Sequence, residues 1–216
     1  MRRRELFQTI GGATVGALLG SLSCDTHAAS ARPNVLWIIG EDLCPDLGCY
    51  GHPLVTSPEI DRLASQGMRF TNAYTTAPVC SASRSALITG MYQTSIGAHN
   101  HRSHRDDGYR LPEGISLVTD IFRQAGYFTA NVTTAAPGVK GTGKTDFNFN
   151  VENPFDGTDW NQRAPGQPFY AQINFPETHR RFKKAKENSV DPADVELPPY
   201  YPDHPIARED WALYLD

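Results

Sequence analysis

Asn34-Val35-Leu36-Trp37-Ile38-Ile39-Gly40-Glu41-Asp42 is the stretch on which the reading of the fold turns. Its continuous apolar run suits a strand buried on both faces, the kind that fills a parallel sheet, and it stops at Gly40-Glu41-Asp42. The two acids therefore fall at a strand's C-terminal end. That is the edge at which open α/β sheets collect their ligand sites.

Outward from that strand the chain alternates. Ser57-Pro58-Glu59 reads as a helix start, with Ser57 as N-cap, Pro58 in the first turn and Ile60, Leu63 and Ala64 on one face before Gly67. Met68 to Tyr74 has the pattern of a strand, and Cys80 to Thr89 that of a short helix closed by Gly90, which puts Cys80 at a helix N-terminus. Residues 91 to 114, polar and rich in His and Arg, read as a long loop. A capped helix over Ser116 to Ala125 precedes a strand over Tyr127 to Val132. Another strand over Pro168 to Phe175 ends at Pro176-Glu177-Thr178-His179, residues 180 to 204 read as loop or surface helix, and a helix begins near Arg208. The alternation predicts an α/β fold, a mainly parallel sheet with helices on both faces. The last helix has no termination signal, so the chain is expected to be incomplete at its C-terminus.

Hydrophobic residues make up 39% of the 216 and charged residues 20%, which fits a globular domain, and 16 prolines and 18 glycines predict many turns. The net charge of -4 argues against nucleic acid as the main partner. Residues 1–31 read as an export signal: Arg2-Arg3-Arg4 followed by Leu6-Phe7 is of the twin-arginine type, and small residues at Ala28 to Ala31 follow a glycine-rich apolar run too short for a stable membrane span. Removing them takes away three positive and two negative charges, moving -4 to -5, so any pull on an anionic substrate must be local. The expected destination is the periplasm or the exterior of a bacterial cell; Cys24 raises lipid anchoring as a lesser alternative. Cys44, Cys49 and Cys80 remain, an odd number with no CxxC spacing, which supports neither a disulfide framework nor a zinc ribbon.

Cys80-Ser81-Ala82-Ser83-Arg84, with Thr89-Gly90 beyond, resembles the sulfatase signature C-x-P-x-R, with Ala82 in the proline's place. The resemblance extends over Asn34 to about His179. Asn34 to Gly51 is similar to the family's opening strand with its two calcium-binding aspartates, here Glu41 and Asp42, and Thr56 to Tyr74 (TSPEIDRLASQGMRFTNAY) is similar to a further family segment. Gly143-Lys144 resembles the G-K-W-H position, with Asp146 where the histidine would stand, and Phe175-Pro176-Glu177-Thr178-His179 resembles F-x-E-P-H.

What the resemblance implies is an alkaline-phosphatase-like fold, of which residues 32–216 are the N-terminal portion, and a sulfuric ester hydrolase. In that family the cysteine is oxidised to formylglycine by a formylglycine-generating enzyme. Its hydrate attacks sulfur with one hydroxyl and expels sulfate by restoring the aldehyde. The implied roles are Cys80 as nucleophile, Arg84 holding the group at position 80, Lys144 on the sulfate and His179 protonating the leaving oxygen, with Ca2+ held by Glu41, Asp42 and the Cys80-derived diol. The expected substrate is a sulfated sugar or polysaccharide, as for heparan N-sulfatase-like and iduronate-sulfatase-like members, and the stretch taken alone is expected to be inactive. A phosphate or phosphonate ester hydrolase of the same fold, and a non-catalytic sugar-binding relative, stay open as alternatives.

Two other patterns compete for attention. Gly138 to Thr145 fits GxxxxGK followed by Thr, the phosphate loop of nucleotide-binding proteins, but such a loop must open a helix, and Asp146 to Pro154 is asparagine-rich, aromatic and broken by proline. His99, His101 and His104, interleaved with Arg102 and Arg105, suit either a solvated loop or one that touches substrate; zinc lacks a carboxylate or cysteine at an obvious spacing.

Overall fold

A computed structural model describes residues 32–185, 187 and 189–216. The export signal read from residues 1–31 lies outside the described residues. Three strands, β1 (Val35–Gly40), β2 (Phe128–Val132) and β5 (Phe169–Phe175), form a parallel sheet in the order β1-β5-β2, and β3 (Thr134–Ala136) and β4 (Val139–Lys140) form a small antiparallel ribbon. The helices are α1 (Pro58–Gln66), α2 (Cys80–Thr89), α3 (Val118–Gln124) and α4 (Pro205–Leu215). No helix among the described residues is long and apolar enough to cross a membrane.

Side chains alternate across the sheet with period two. Trp37 and Ile39 of β1 and Tyr170 and Gln172 of β5 line a void of about 10 Å³ together with Arg84, Leu87 and Ile88 of α2, so that face of the sheet meets α2. The opposite face carries the small apolar core of Ala130, Val132, Ala171 and Ile173, packed by Phe128, Trp160 and Phe169. A second core, Ile88, Ile96, Ala98, Leu117 and Phe149, anchors the long loop after α2. A third, Val195, Ala212 and Leu215, seats α4.

Several expectations shift. β1 is an edge strand buried on one face only, with Leu36 and Ile38 exposed on the other. Met68 to Tyr74 forms no strand, since no neighbour pairs with it, and Met68, Phe70 and Tyr74 are exposed. Ser57 does not cap α1 through its side chain; its Oγ accepts from Gly48 N (2.9 Å) and donates to Asp61 (2.7 Å). α3 begins at Val118 rather than near Ser116, with Asp120 accepting from Leu117 N (3.2 Å). α4 begins at Pro205, where His204 Nδ1 accepts from Ile206 N (3.2 Å). Gly138 to Thr145 opens no helix: it runs through β4 into irregular chain.

Parallel strands bring their C-terminal ends to one edge. β1 and β5 stay in register to Gly40 opposite Phe175, and Glu41 N donates to Phe175 O (3.0 Å). The turns that carry Glu41 and Asp42 and Thr178 and His179 therefore leave the sheet side by side, and the segment after β4 joins β5 where Thr142 N donates to Asn174 O (2.9 Å).

Candidate active site

α2 carries Cys80 at its first position behind Val79, an extended N-cap residue with no side-chain acceptor, so the first N–H groups of the helix face outward unclaimed by a capping side chain. The first intrahelical bond is Ser83 N to Val79 O (2.9 Å), leaving Ala82 upstream of any helical hydrogen bond. The N–H that a proline would lack at this position is therefore not one the helix uses. Gly90 ends the helix in the left-handed region (φ 65°).

Arg84, one turn after Cys80, is buried and reaches three acceptors: Glu41 Oε1 (2.9 Å), Asn174 Oδ1 (2.9 Å) and the Lys144 carbonyl (3.1 Å). Glu41 turns its second oxygen to Lys144 Nζ (2.9 Å). One carboxylate whose side chain is 5% exposed thus joins β1, α2 and the segment after β4. Charge-assisted bonds in such dry surroundings are the strong ones, and each partner left alone there would be costly.

Asp42, beside Glu41, is held at φ 55° and exposed. Its Oδ2 lies 3.8 Å from His179 Nε2. One ligand atom each from Asp42, Cys80 and His179 falls within 4.8 Å of the others. These three side chains come from the β1 turn, the α2 N-terminus and the β5 turn. Thr178 fixes the last of these by donating to the Glu41 carbonyl. Glu41 stands next to this trio but outside it, with both oxygens engaged.

The segment carrying Lys144 is positioned from beneath. Gly141 N donates to Thr133 O (3.1 Å), Thr142 N to Asn174 O (2.9 Å) and Asn131 Nδ2 to Gly143 O (2.7 Å), while Gln172 Nε2 donates to Asn131 Oδ1 (3.1 Å). A Cβ on Gly141 would meet Val132 O at 2.4 Å, so glycine is required there by close packing rather than by phosphate.

Asp146, 3.9 Å from Lys144 Nζ, is 4% exposed and bonded by Arg102 Nε and Nη2 (both 3.2 Å) and by Arg105 Nη2. Burial opposes its ionisation, yet the bonds and charges of Arg102 and Arg105 outweigh burial and hold its carboxyl below the ordinary range. Ser81, the residue after Cys80, accepts from Arg102 N (2.8 Å) and contacts His101 Nδ1 (2.9 Å). His104 is enclosed by Asp107 (2.6 Å) and Gly97 O (3.1 Å) and stacks on Tyr109. The three loop histidines are thus separately engaged or exposed and do not gather round a metal.

Cys80, Arg84, Lys144, His179, Glu41 and Asp42 all meet at this one edge of the sheet. Sequence reading missed Asn131, Gln172 and Asn174, which support them from the sheet. The available signal was an amide side chain at alternate positions of otherwise apolar strands, Asn131 in FTANV and Gln172 and Asn174 in FYAQINF. Cys44, Cys49 and Cys80 are free thiols.

Comparison with known proteins follows the same residues. The Sulfatase family model matches residues 33–188. An ulvan-active sulfatase of Formosa agariphila is 32% identical over 163 residues, 68% of this chain and 25% of that protein. An N-acetylgalactosamine-6-O-sulfatase of Bacteroides thetaiotaomicron is 38% identical over 133 residues, 59% of this chain and 25% of that protein. The chain therefore spans about a quarter of the length of these two relatives. Among solved structures, a 2-O GAG sulfatase superposes with a TM-score of 0.52 at 22% identity, over 67% of this chain and 35% of that one, a likeness of fold. The parallel sheet, the helix that begins at Cys80 and the match across residues 33–188 together make this chain a member of the sulfatase family.

Proposed function

We propose that the protein hydrolyses sulfate esters of a sugar or polysaccharide, with Cys80 oxidised to formylglycine and calcium bound beside it. The observation that carries this reading is the meeting of Asp42, Cys80 and His179, from three separate elements, within 4.8 Å. Asp42 is a hard oxygen ligand, and oxidation replaces the sulfur at position 80 by oxygen, a donor set that suits calcium better than the thiol does. Asp42 and the oxygen at position 80 would hold the ion, with Glu41 adjoining. Once hydrated, formylglycine at position 80 would supply the nucleophilic hydroxyl, and a bound calcium would supply Lewis acidity toward the sulfate.

The remaining work falls to the chain itself. The free N–H groups at the start of α2 and the Lys144 ammonium place positive charge where the sulfate gains negative charge. Arg84 holds Glu41 and the Lys144 carbonyl at fixed distance, so the lysine is aimed before substrate arrives. His179 presents Nε2 toward Asp42 at the site's mouth, where a proton on that nitrogen can pass to the leaving sugar oxygen. The formylglycine-generating enzyme is the partner this chemistry requires. Export by way of residues 1–31, to the periplasm or beyond, belongs to the same proposal.

The test is mass spectrometry of the tryptic peptide spanning Cys80 from full-length protein coexpressed with a formylglycine-generating enzyme. Conversion of thiol to aldehyde removes about 18 Da. Turnover of an aryl sulfate in preference to an aryl phosphate completes it. An unmodified thiol, or preference for the phosphate, overturns the reading.

A further inference from the structure

Arg102 and Arg105 are not among the groups that the proposed hydrolysis uses, yet they stand beside them. The two guanidiniums line an open cleft of about 650 Å³ with Lys144, Thr145, Asn150 and Val151. That volume lies within the roughly 300–1,000 Å³ typical of small-molecule sites. Arg102 is tied to the nucleophile's neighbour through Ser81 (2.8 Å), and Lys144 borders both the cleft and Glu41.

The geometry leaves these arginines partly unspent. Asp146 also borders the cleft but is only 4% exposed, while the arginine side chains are 44% and 48% exposed. Arg102 commits Nε and Nη2 to Asp146, leaving Nη1; Arg105 commits Nη2, leaving Nε and Nη1. Among the described residues, no hydrogen-bond acceptor takes those remaining donors. Along the cleft itself, three cations (Lys144, Arg102, Arg105) face one carboxylate (Asp146), in a chain whose net charge is -4. Positive charge is therefore concentrated at this cleft against the sign of the whole molecule.

We propose that Arg102 and Arg105 form a subsite for a second oxyanion of the substrate, next to the sulfate being cleaved, and that Asp146 is the positioning residue that holds them in place. This rests on the proposed hydrolysis of sulfated sugars and narrows it to multiply anionic ones. The remaining guanidinium N–H groups of the two arginines match the acceptor oxygens of a sulfate or a carboxylate, the two groups that supply such an oxyanion on a sugar chain. Asp146 fixes the two forks before binding, which lowers the cost of ordering long side chains.

The experiment compares three substrates on full-length protein with oxidised Cys80: a monosulfated neutral sugar, the same sugar with a second sulfate, and the monosulfated sugar linked to a uronic acid. In Arg102→Gln and Arg105→Gln, kcat/KM for one of the two dianionic substrates should fall roughly tenfold to a hundredfold further than for the neutral one, mainly through KM. Whichever dianion loses its advantage identifies the oxyanion. Asp146→Asn should shift the same ratio in the same direction, which a general loss of structure would not do. A ratio that stays within about threefold of wild type for both dianions overturns the subsite. Failure of wild type on every sulfate ester, aryl sulfate included, refutes the hydrolase reading and leaves the subsite to calorimetry. There the disulfated sugar is titrated into Cys80→Ala and into the same protein carrying Arg102→Gln and Arg105→Gln; equal affinity overturns the subsite, and a drop of about tenfold or more supports it.

Discussion

Replacing Glu41 by glutamine keeps shape and one acceptor but removes the charge that Arg84 and Lys144 share. Lys144 is the more exposed of the two and has Asp146 3.9 Å away, so it turns to that carboxylate and to water. Arg84 cannot follow, since its side chain is 9% exposed and its other acceptors, Asn174 Oδ1 and the Lys144 carbonyl, are neutral. The cost is that of a buried guanidinium left without a counter-charge, about 3 kcal/mol. Coulomb attraction at about 4 Å and an effective dielectric constant near 20, roughly 4 kcal/mol, agrees in size. Equilibrium urea unfolding of full-length protein, followed by tryptophan fluorescence with Trp37 in β1 as a reporter, reads the loss as a lowered midpoint. Adding Arg84→Met should return part of it, because the methionine enters a void already lined by Ile39, Leu87, Ile88 and Phe147. A single-variant cost below about 1 kcal/mol, or two changes additive to within about 0.5 kcal/mol, would refute the reasoning.

Gly141→Ala should cost about 1–3 kcal/mol, because the added methyl meets Val132 O and Ile173, whereas Gly67→Ala, whose methyl finds only Leu63 O at 3.5 Å, should change stability by less than about 0.5 kcal/mol; thermal unfolding checks both. Asp146 has a depressed pKa when folded, so its contribution to stability is complete above the ordinary value of 3.8 and is lost as pH falls through the folded value. Acid titration of Asp146→Asn should accordingly show a weaker loss of stability below pH 3.8 than wild type does. His104 behaves in the opposite sense: the Asp107 bond raises its pKa above 6.5, so its contribution is complete below that value and is lost as pH rises through the folded one. Hydrogen exchange of amides near Ile96, Ala98 and Tyr109 should quicken over that rise in wild type beyond the intrinsic increase of exchange with pH, and His104→Gln should abolish the excess.

Local chemistry made much of this legible. Gly40-Glu41-Asp42 at a strand end, Cys80 at the start of a helix that Gly90 closes, and His179 after an apolar strand are each set by neighbours within a few residues. Misreadings arose where a partner decides the outcome. Met68 to Tyr74 has the composition of a strand but no strand beside it, and Leu36 and Ile38 read as interior although β1 is an edge. Nothing near Glu41 in the sequence announces Arg84 and Lys144, 43 and 103 residues away, as the partners of its two oxygens. Asp146 reads as an odd replacement for a histidine until Arg102 and Arg105 arrive from a loop with no periodicity of its own. Contacts of that span leave no trace in a local window.

The order of the sheet bears on how Cys80 could be modified at all. β5 lies between β1 and β2, so neither outer strand has a neighbour until residue 175 has been made. During synthesis the segment around Cys80 waits as open chain for nearly a hundred residues, about 5–20 s at ordinary elongation rates. An enzyme that works on unfolded polypeptide would find its cysteine accessible for that whole interval. The closing of the central strand then ends its access and, in the same event, sets Asn174 against Arg84. If Cys80 is oxidised as proposed, the pairing of β5 with its two neighbours sets the interval in which that can happen.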